Sequence, residues 1–174
     1  MLLRENYTAE HITKLRQETG ADPSIRVLFI CHGNICRSPM AEFILKKLVK
    51  EQGMEDCFEI SSAATSREEI GNDVYPPAKK CLTSHGVPFT SRHARQITKQ
   101  DLTYYDYIIA MEDYNIGNLR RLLGNSDKYS LLLDYTDSPG NILDPWYSGD
   151  FETAYKEIEL GCKGLLKRRE GWND

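Results

Sequence analysis

The chain has 174 residues, which at roughly 100–200 residues per domain makes one domain with a single substantial core. Hydrophobic residues make up 40% and charged residues 28%, which excludes a largely disordered chain, and no apolar run approaches the ~20 residues needed to cross a bilayer. Twenty-two Lys and Arg against 26 Asp and Glu leave a net charge of −4, so a broad basic surface for nucleic acid is excluded. Any attraction for an anionic ligand must be built locally from a few well-aimed groups.

In chain order, residues 1–24 are polar and carry a short helix signal over residues 9–19, with Ile12 and Leu15 as its strong apolar positions. They read as an N-terminal extension to a domain spanning residues 25–170. The run RVLFI at residues 26–30 has the length and composition of a buried parallel strand. Residues 39–52 then read as a helix, with Pro39 at its first position and Gly53 after its end. A second strand falls at residues 58–63 and a helix at 77–84 closed by Gly86. Thr98 with Asp101 three residues later forms a capping-box pattern for a short helix. YIIAM at residues 107–111 is a third strand, followed by a helix from about 112 to 123, and residues 129–133 make a fourth strand. After a loop over 134–150, apolar residues recur every three or four positions from Phe151 to Leu165 along a final helix. Strands separated by helices predict a single-domain α/β sandwich of three layers, with a four-stranded parallel sheet between helices. Such folds bind ligands beyond the carboxyl ends of their strands.

The chemistry gathers at that edge, immediately after the first strand: Cys31-His32-Gly33-Asn34-Ile35-Cys36-Arg37-Ser38-Pro39. Cys-x5-Arg alone means little, since about 0.3 such pairs arise by chance in a chain of this composition. Its context carries the weight. A strand ends at the cysteine, Gly33 frees the backbone for a tight loop, and Ser38-Pro39 opens a helix as cap and first residue. This arrangement directs backbone N–H groups and a helix N-terminus into one concavity, an anion cradle to which Arg37 can add a bidentate guanidinium. A free thiol with pKa ~8.5 is only a few per cent thiolate at neutral pH. Making it mostly thiolate takes about 4 kcal/mol, and a helix N-terminus supplies at most ~2 kcal/mol. The loop N–H groups, the Ser38 hydroxyl and Arg37 must supply the remainder. A thiolate in a phosphate cradle is a nucleophile for phosphoryl transfer. A general acid would complete the set, and Asp134, Asp137, Asp144 and Asp150 all lie in the late loop.

The segment VLFICHGNICRSPMAE resembles the signature of the low-molecular-weight protein tyrosine phosphatases, also called low-molecular-weight acid phosphatases. The likeness continues through SSAATSREEIGN, HARQITKQD, DYIIAMED and LDPWYSGDFETAY, and so covers roughly residues 26–168. It implies a cytoplasmic, cofactor-free hydrolase of phosphotyrosine proteins or aryl phosphates, working through a phosphocysteine, without nucleic acid or membrane as partner. No metal is implied either, and His11, His32, His85 and His93 show no ligand spacing. Carried over by position, Cys31 is the nucleophile and Arg37 binds the phosphoryl oxygens within the loop of His32, Gly33, Asn34, Ile35 and Cys36. Asn34 holds the loop, Ser38 donates to the thiolate, and Asp144 of the Asp-Pro-aromatic motif is the general acid. Trp146 and Tyr147 form an aromatic wall. Cys36 is the second thiol with which an oxidised Cys31 can pair, and a loop this tight can bring the two within disulfide reach.

The chain departs from the family pattern at the rim. His32 stands where an apolar residue is more common, and Glu68 occupies a pocket-mouth place that is aromatic in mammalian members. Arg92 and His93 shift the charge where those members carry histidine. An arsenate reductase would need a closely spaced downstream cysteine pair, and only Cys81 and the remote Cys162 follow Cys57. An arginine phosphatase of the same fold would place Thr where Ile35 stands, so Ile35 favours an aryl phosphate. All five cysteines (Cys31, Cys36, Cys57, Cys81, Cys162) are irregularly spaced and odd in number, which argues against a secreted disulfide framework.

Overall fold

A computed structural model of the chain describes residues 9–20 and 22–170, with the side chains of 168–170 excepted. Its four strands, β1 (Ile25–Cys31), β2 (Phe58–Ala64), β3 (Tyr107–Ala110) and β4 (Tyr129–Leu131), form one parallel sheet in the order β2-β1-β3-β4. The interior strand β1 is apolar and buried from Val27 to Cys31 because both of its faces are covered there, while Arg26 near its start pairs with Glu59. Alternate side chains go to opposite layers. Val27 and Phe29 pack with Met40 and Ile44 of α2 (Arg37–Glu51) and Ile158 and Cys162 of α7 (Phe151–Glu170). Leu28 and Ile30 face Ile116 and Leu119 of α5 (Asp113–Leu123). The remaining helices are α1 (Ala9–Thr19), α3 (Pro76–Ser84), α4 (Lys99–Tyr104) and α6 (Pro145–Ser148).

The expected helix at residues 9–19 is present, and it docks by burying Ile12 and by an Arg16 bond to the Asp56 carbonyl at 3.0 Å. Residues 1–8 and 21 of the expected extension lie outside the described residues. The capping box at Thr98 and Asp101 forms as expected. Three expectations need correction. Helix α2 begins at Arg37, with Cys36 in the cap position and no side-chain cap, so Ser38 does not cap it. Pro39 sits at the third helical position, where a missing N–H still costs nothing because the first turn has no intrahelical acceptors. The fourth strand ends at Leu131 rather than residue 133. Asp134 accepts from the Leu131 N–H at 3.0 Å, and the chain turns into a 3-10 segment, Leu132–Tyr135, that buries Leu132 and Leu133. The loop over 134–150 contains the end of that segment and the short helix α6.

Register places the site. Beyond the strand ends, Thr65 N and Ser66 N still bond the carbonyls of Cys31 and His32, so the first residues of the loop are held as an extension of the sheet.

Candidate active site

Between the end of β1 and the start of α2, the chain curls through residues 31–36 around the Cys31 sulfur. Asn34 sits at φ 59°, the only non-glycine residue with positive φ among the described residues. Asparagine tolerates that left-handed conformation better than most residues. Gly33, expected to supply the loop's backbone freedom, does not lie in the left-handed region. Its missing side chain matters instead because a Cβ there would come within 3.2 Å of the Glu69 side chain.

The polarity of the hydrogen bonds under the loop follows from one donor-only group. The Arg92 guanidinium, which cannot accept, donates to the Asn34 carbonyl at 2.6 Å and also to Asn34 Oδ1. Oδ1 takes the Arg95 N–H as well. The amide Nδ2 therefore faces the other way and donates to Ser38 Oγ at 2.8 Å and Ser62 Oγ at 2.9 Å. Ser62 passes its own proton to Glu42 Oε1 at 2.7 Å. Ser38, having accepted from Asn34, has its hydroxyl proton free for Cys31 Sγ, 2.9 Å away. Sγ also accepts the Asn34 backbone N–H at 3.3 Å. Two donors thus converge on the sulfur. Asn34, Arg37 and Ser38 are each 0–1% exposed, so these bonds lie in a medium where charge-assisted hydrogen bonds are strong.

Arg37 crosses the floor of the pocket. A buried guanidinium is tolerable only when paired. Here Nη1 donates to the Ile142 carbonyl at 2.8 Å, while Nη2 lies 3.1 Å from Glu112 Oε1 and 3.4 Å from Asp144 Oδ2. Burial by itself disfavours the guanidinium's charge, but the Cys31 charge and the bond to Glu112 outweigh it and push its pKa up. Asp144 caps α6, its Oδ1 accepting the Trp146 N–H at 3.1 Å, and its other oxygen faces Arg37. These groups line a cavity of about 140 Å³ with His32, Gly33, Ile35, Cys36, Glu68, Glu69, Trp146 and Tyr147. Trp146 rests on Tyr75, ring centroids 4.6 Å apart, and Tyr147 is 83% exposed, so the aromatic side of the mouth has one fixed and one free ring. Opposite them, His32 Nε2 pairs with Glu68 Oε2 at 3.0 Å. Cys36 is buried with Ile35 and Ala94, and burial followed by the nearby Cys31 charge pushes its thiol far up, so it is held neutral.

The low molecular weight phosphotyrosine protein phosphatase family model matches residues 26–170. The chain belongs to that family. It is 42% identical over 146 residues to the low molecular weight protein-tyrosine-phosphatase YfkJ of Bacillus subtilis, covering 82% of this chain and 94% of that one. To the Homo sapiens low molecular weight phosphotyrosine protein phosphatase it is 40% identical over 149 residues, with the same coverage of both chains. The YfkJ crystal structure superposes with a TM-score of 0.82 over 87% of this chain and 98% of that one, at 39% identity. A Drosophila arginine phosphatase structure superposes at 0.75, with 32% identity, over 83% of this chain and 97% of that one.

Within this phosphatase fold, two groups at the site escape motif reasoning. Glu112 follows β3 and reaches Arg37 from the neighbouring strand end; its place at a carboxyl edge of the sheet was the available signal. Arg92, visible in sequence only as a shifted charge, turns out to orient Asn34 from 58 residues away. His93 instead meets the Gly71 carbonyl at 2.9 Å and does not reach the pocket lining.

Proposed function

We propose that this phosphatase hydrolyses phosphotyrosine and related aryl phosphates by a two-step mechanism centred on Cys31. The observation that carries the reading is the convergence of the Asn34 N–H and the Ser38 hydroxyl on Sγ, across the same cavity from Arg37 and Asp144. In the first step the sulfur attacks phosphorus, the bond to the phenolic oxygen breaks, and Asp144 gives that oxygen its proton. In the second, water attacks the phosphocysteine, Asp144 takes a water proton, and the S–P bond breaks to return thiolate and release inorganic phosphate. In this reading Arg37 and the N–H groups of the loop serve the equatorial oxygens of the transition state, where fixed dipoles count most.

Ile35 and Trp146 supply apolar surface for a ring, which favours an aryl ester over a phosphoguanidine or phosphoserine. Residues 25–170 form the catalytic unit in this reading and 1–24 an extension to it. A reducing compartment such as the cytoplasm suits a nucleophile that must stay a thiol. Among the described residues no helix is long and apolar enough to cross a membrane. The test is a panel of phosphotyrosine, phosphoarginine and phosphoserine peptides with wild type and Cys31→Ser. Wild type should turn over phosphotyrosine best, and the variant should lose at least roughly 10³-fold while still binding phosphate analogues. Preference for phosphoarginine would transfer the assignment to the arginine-directed activity, and residual hydrolysis within tenfold of wild type would remove Cys31.

A further inference from the structure

Away from the pocket, the end of α3 and the start of α7 bring together a thiol, an imidazole and a carboxylate. The Cys81 Sγ, a His85 ring nitrogen and a Glu152 oxygen all lie within 4.8 Å of one another, the one such group of three among the described residues. His85 Nε2 is 2.9 and 3.0 Å from the two Glu152 oxygens, and Cys81 Sγ is 3.6 Å from Glu152 Oε1. We propose that Cys81, His85 and Glu152 form a site for a divalent cation of the zinc class, joining the C-terminus of α3 to the first turn of α7.

The donor set and spacing support this. A thiolate and an imidazole with one carboxylate suit a borderline-soft ion and not magnesium or calcium. With bonds of ~2.3 Å to sulfur and ~2.0–2.1 Å to nitrogen or oxygen, a tetrahedral ion sets S···O near ~3.6 Å and N···O near ~3.4 Å. The sulfur–oxygen spacing already has that value, and the imidazole–carboxylate spacing must open by less than about 0.5 Å. Two of the ligands are held in place before any ion arrives. His85 lies stacked on Tyr155 at 3.7 Å and 9°, and Cys81 is buried with its sulfur directed to Phe151 O and Glu152. The partly exposed His85 and Glu152 leave the outer side open for solvent as a fourth ligand.

A His85–Glu152 ion pair alone accounts for those two residues. It does not account for a buried thiol whose sulfur lies 3.6 Å from the same carboxylate. With a cation bound, the Cys81 proton would leave to solvent as the S–metal bond forms, and Glu152 would face a positive centre. The site would brace the pocket wall from behind, because Phe151, next to Glu152, packs on Tyr75, which carries Trp146.

Cobalt(II) titration of the Cys31→Ser protein tests the site without the pocket thiol competing. One cobalt per chain should bind with a thiolate-to-cobalt charge-transfer band in the near ultraviolet, and zinc should displace it. Zinc at hundredfold excess over its dissociation constant should raise the thermal midpoint by about 5 °C or more. His85→Gln and Glu152→Gln, each in that background, should weaken binding at least tenfold, and Cys81→Ser should abolish the band while Cys36→Ser leaves it. Absence of the band at millimolar cobalt, or a band unchanged by His85→Gln and Glu152→Gln, overturns the proposal. Should Cys81→Ser not fold, those two variants decide it.

Discussion

With its backbone in the left-handed region and its amide gripped by Arg92, Asn34 transmits a fixed orientation to Ser38 and so to the Cys31 sulfur. The surroundings of the Cys31 sulfur are therefore set through Asn34 by Arg92, 58 residues away in the chain. The role proposed for Asp144 depends on the leaving group. Asp144→Ala should slow phosphotyrosine hydrolysis by roughly 10²–10⁴-fold but nitrophenyl phosphate far less, because a good leaving group departs without a proton. Equal losses in steady-state assays of the two esters would point to another acid. Peroxide would oxidise the Cys31 sulfur to a sulfenic acid, and its condensation with the Cys36 thiol would form the disulfide and release water. Wild type treated with peroxide and then a thiol reductant should recover most activity, whereas Cys36→Ser should stay inactive once Cys31 over-oxidises. Equal recovery would leave Cys36 as apolar filling beneath the loop.

Elements meet here at distances that particular residue types permit. Helix α7 lies so close to the 3-10 segment after β4 that a Cβ at Gly164 would collide with the Tyr135 carbonyl, and one at Gly161 would press into Leu132. Alanine raises helix propensity by about 1 kcal/mol over glycine, which on an open helix face would stabilise. Against a backbone carbonyl that cannot swing aside, overpacking of roughly 1–3 kcal/mol wins. Gly164→Ala should therefore lower the urea midpoint, and an unchanged or raised midpoint would show that α7 can move away. The apolar run at residues 129–133 has no period that separates strand from turn, and only the Asp134 side chain, bonding back to Leu131, ends the pairing. Ser38 looked like a cap because Ser-Pro often opens a helix, but its hydroxyl is engaged by Asn34 and sulfur instead.

In a molecule of net charge −4, Arg37 is the one Lys or Arg among the described residues that line the pocket to receive a dianion, with Glu68, Glu69 and Asp144 around it. Such a mouth should disfavour peptides with acidic residues beside phosphotyrosine, and more strongly at low salt, where screening is weak. Glu68→Gln should raise kcat/KM for acidic-flanked peptides several-fold and leave neutral-flanked ones within about twofold, because Glu68 lies at the mouth and not on the phosphate path. A wild-type preference for acidic flanks would contradict that placement. At the mouth the His32 ring meets the Glu68 carboxylate at 3.0 Å.

The layer order, the parallel sheet, the cysteine loop at the end of β1 and, through resemblance, the family are legible in the sequence alone. Those features rest on local grammar: apolar runs, helix ends and a short signature whose residues are contiguous. Tertiary structure decided what depends on distance in space. Glu112 reaches Arg37 across 75 residues, Arg92 reaches Asn34 across 58, and Glu152 reaches His85 across 67. No periodicity or spacing records such meetings, because they are produced by the order in which parallel strands are laid side by side and by which helix is packed over them. The polarity of the network beneath the sulfur is likewise a property of the assembled site, set by a guanidinium that can only donate.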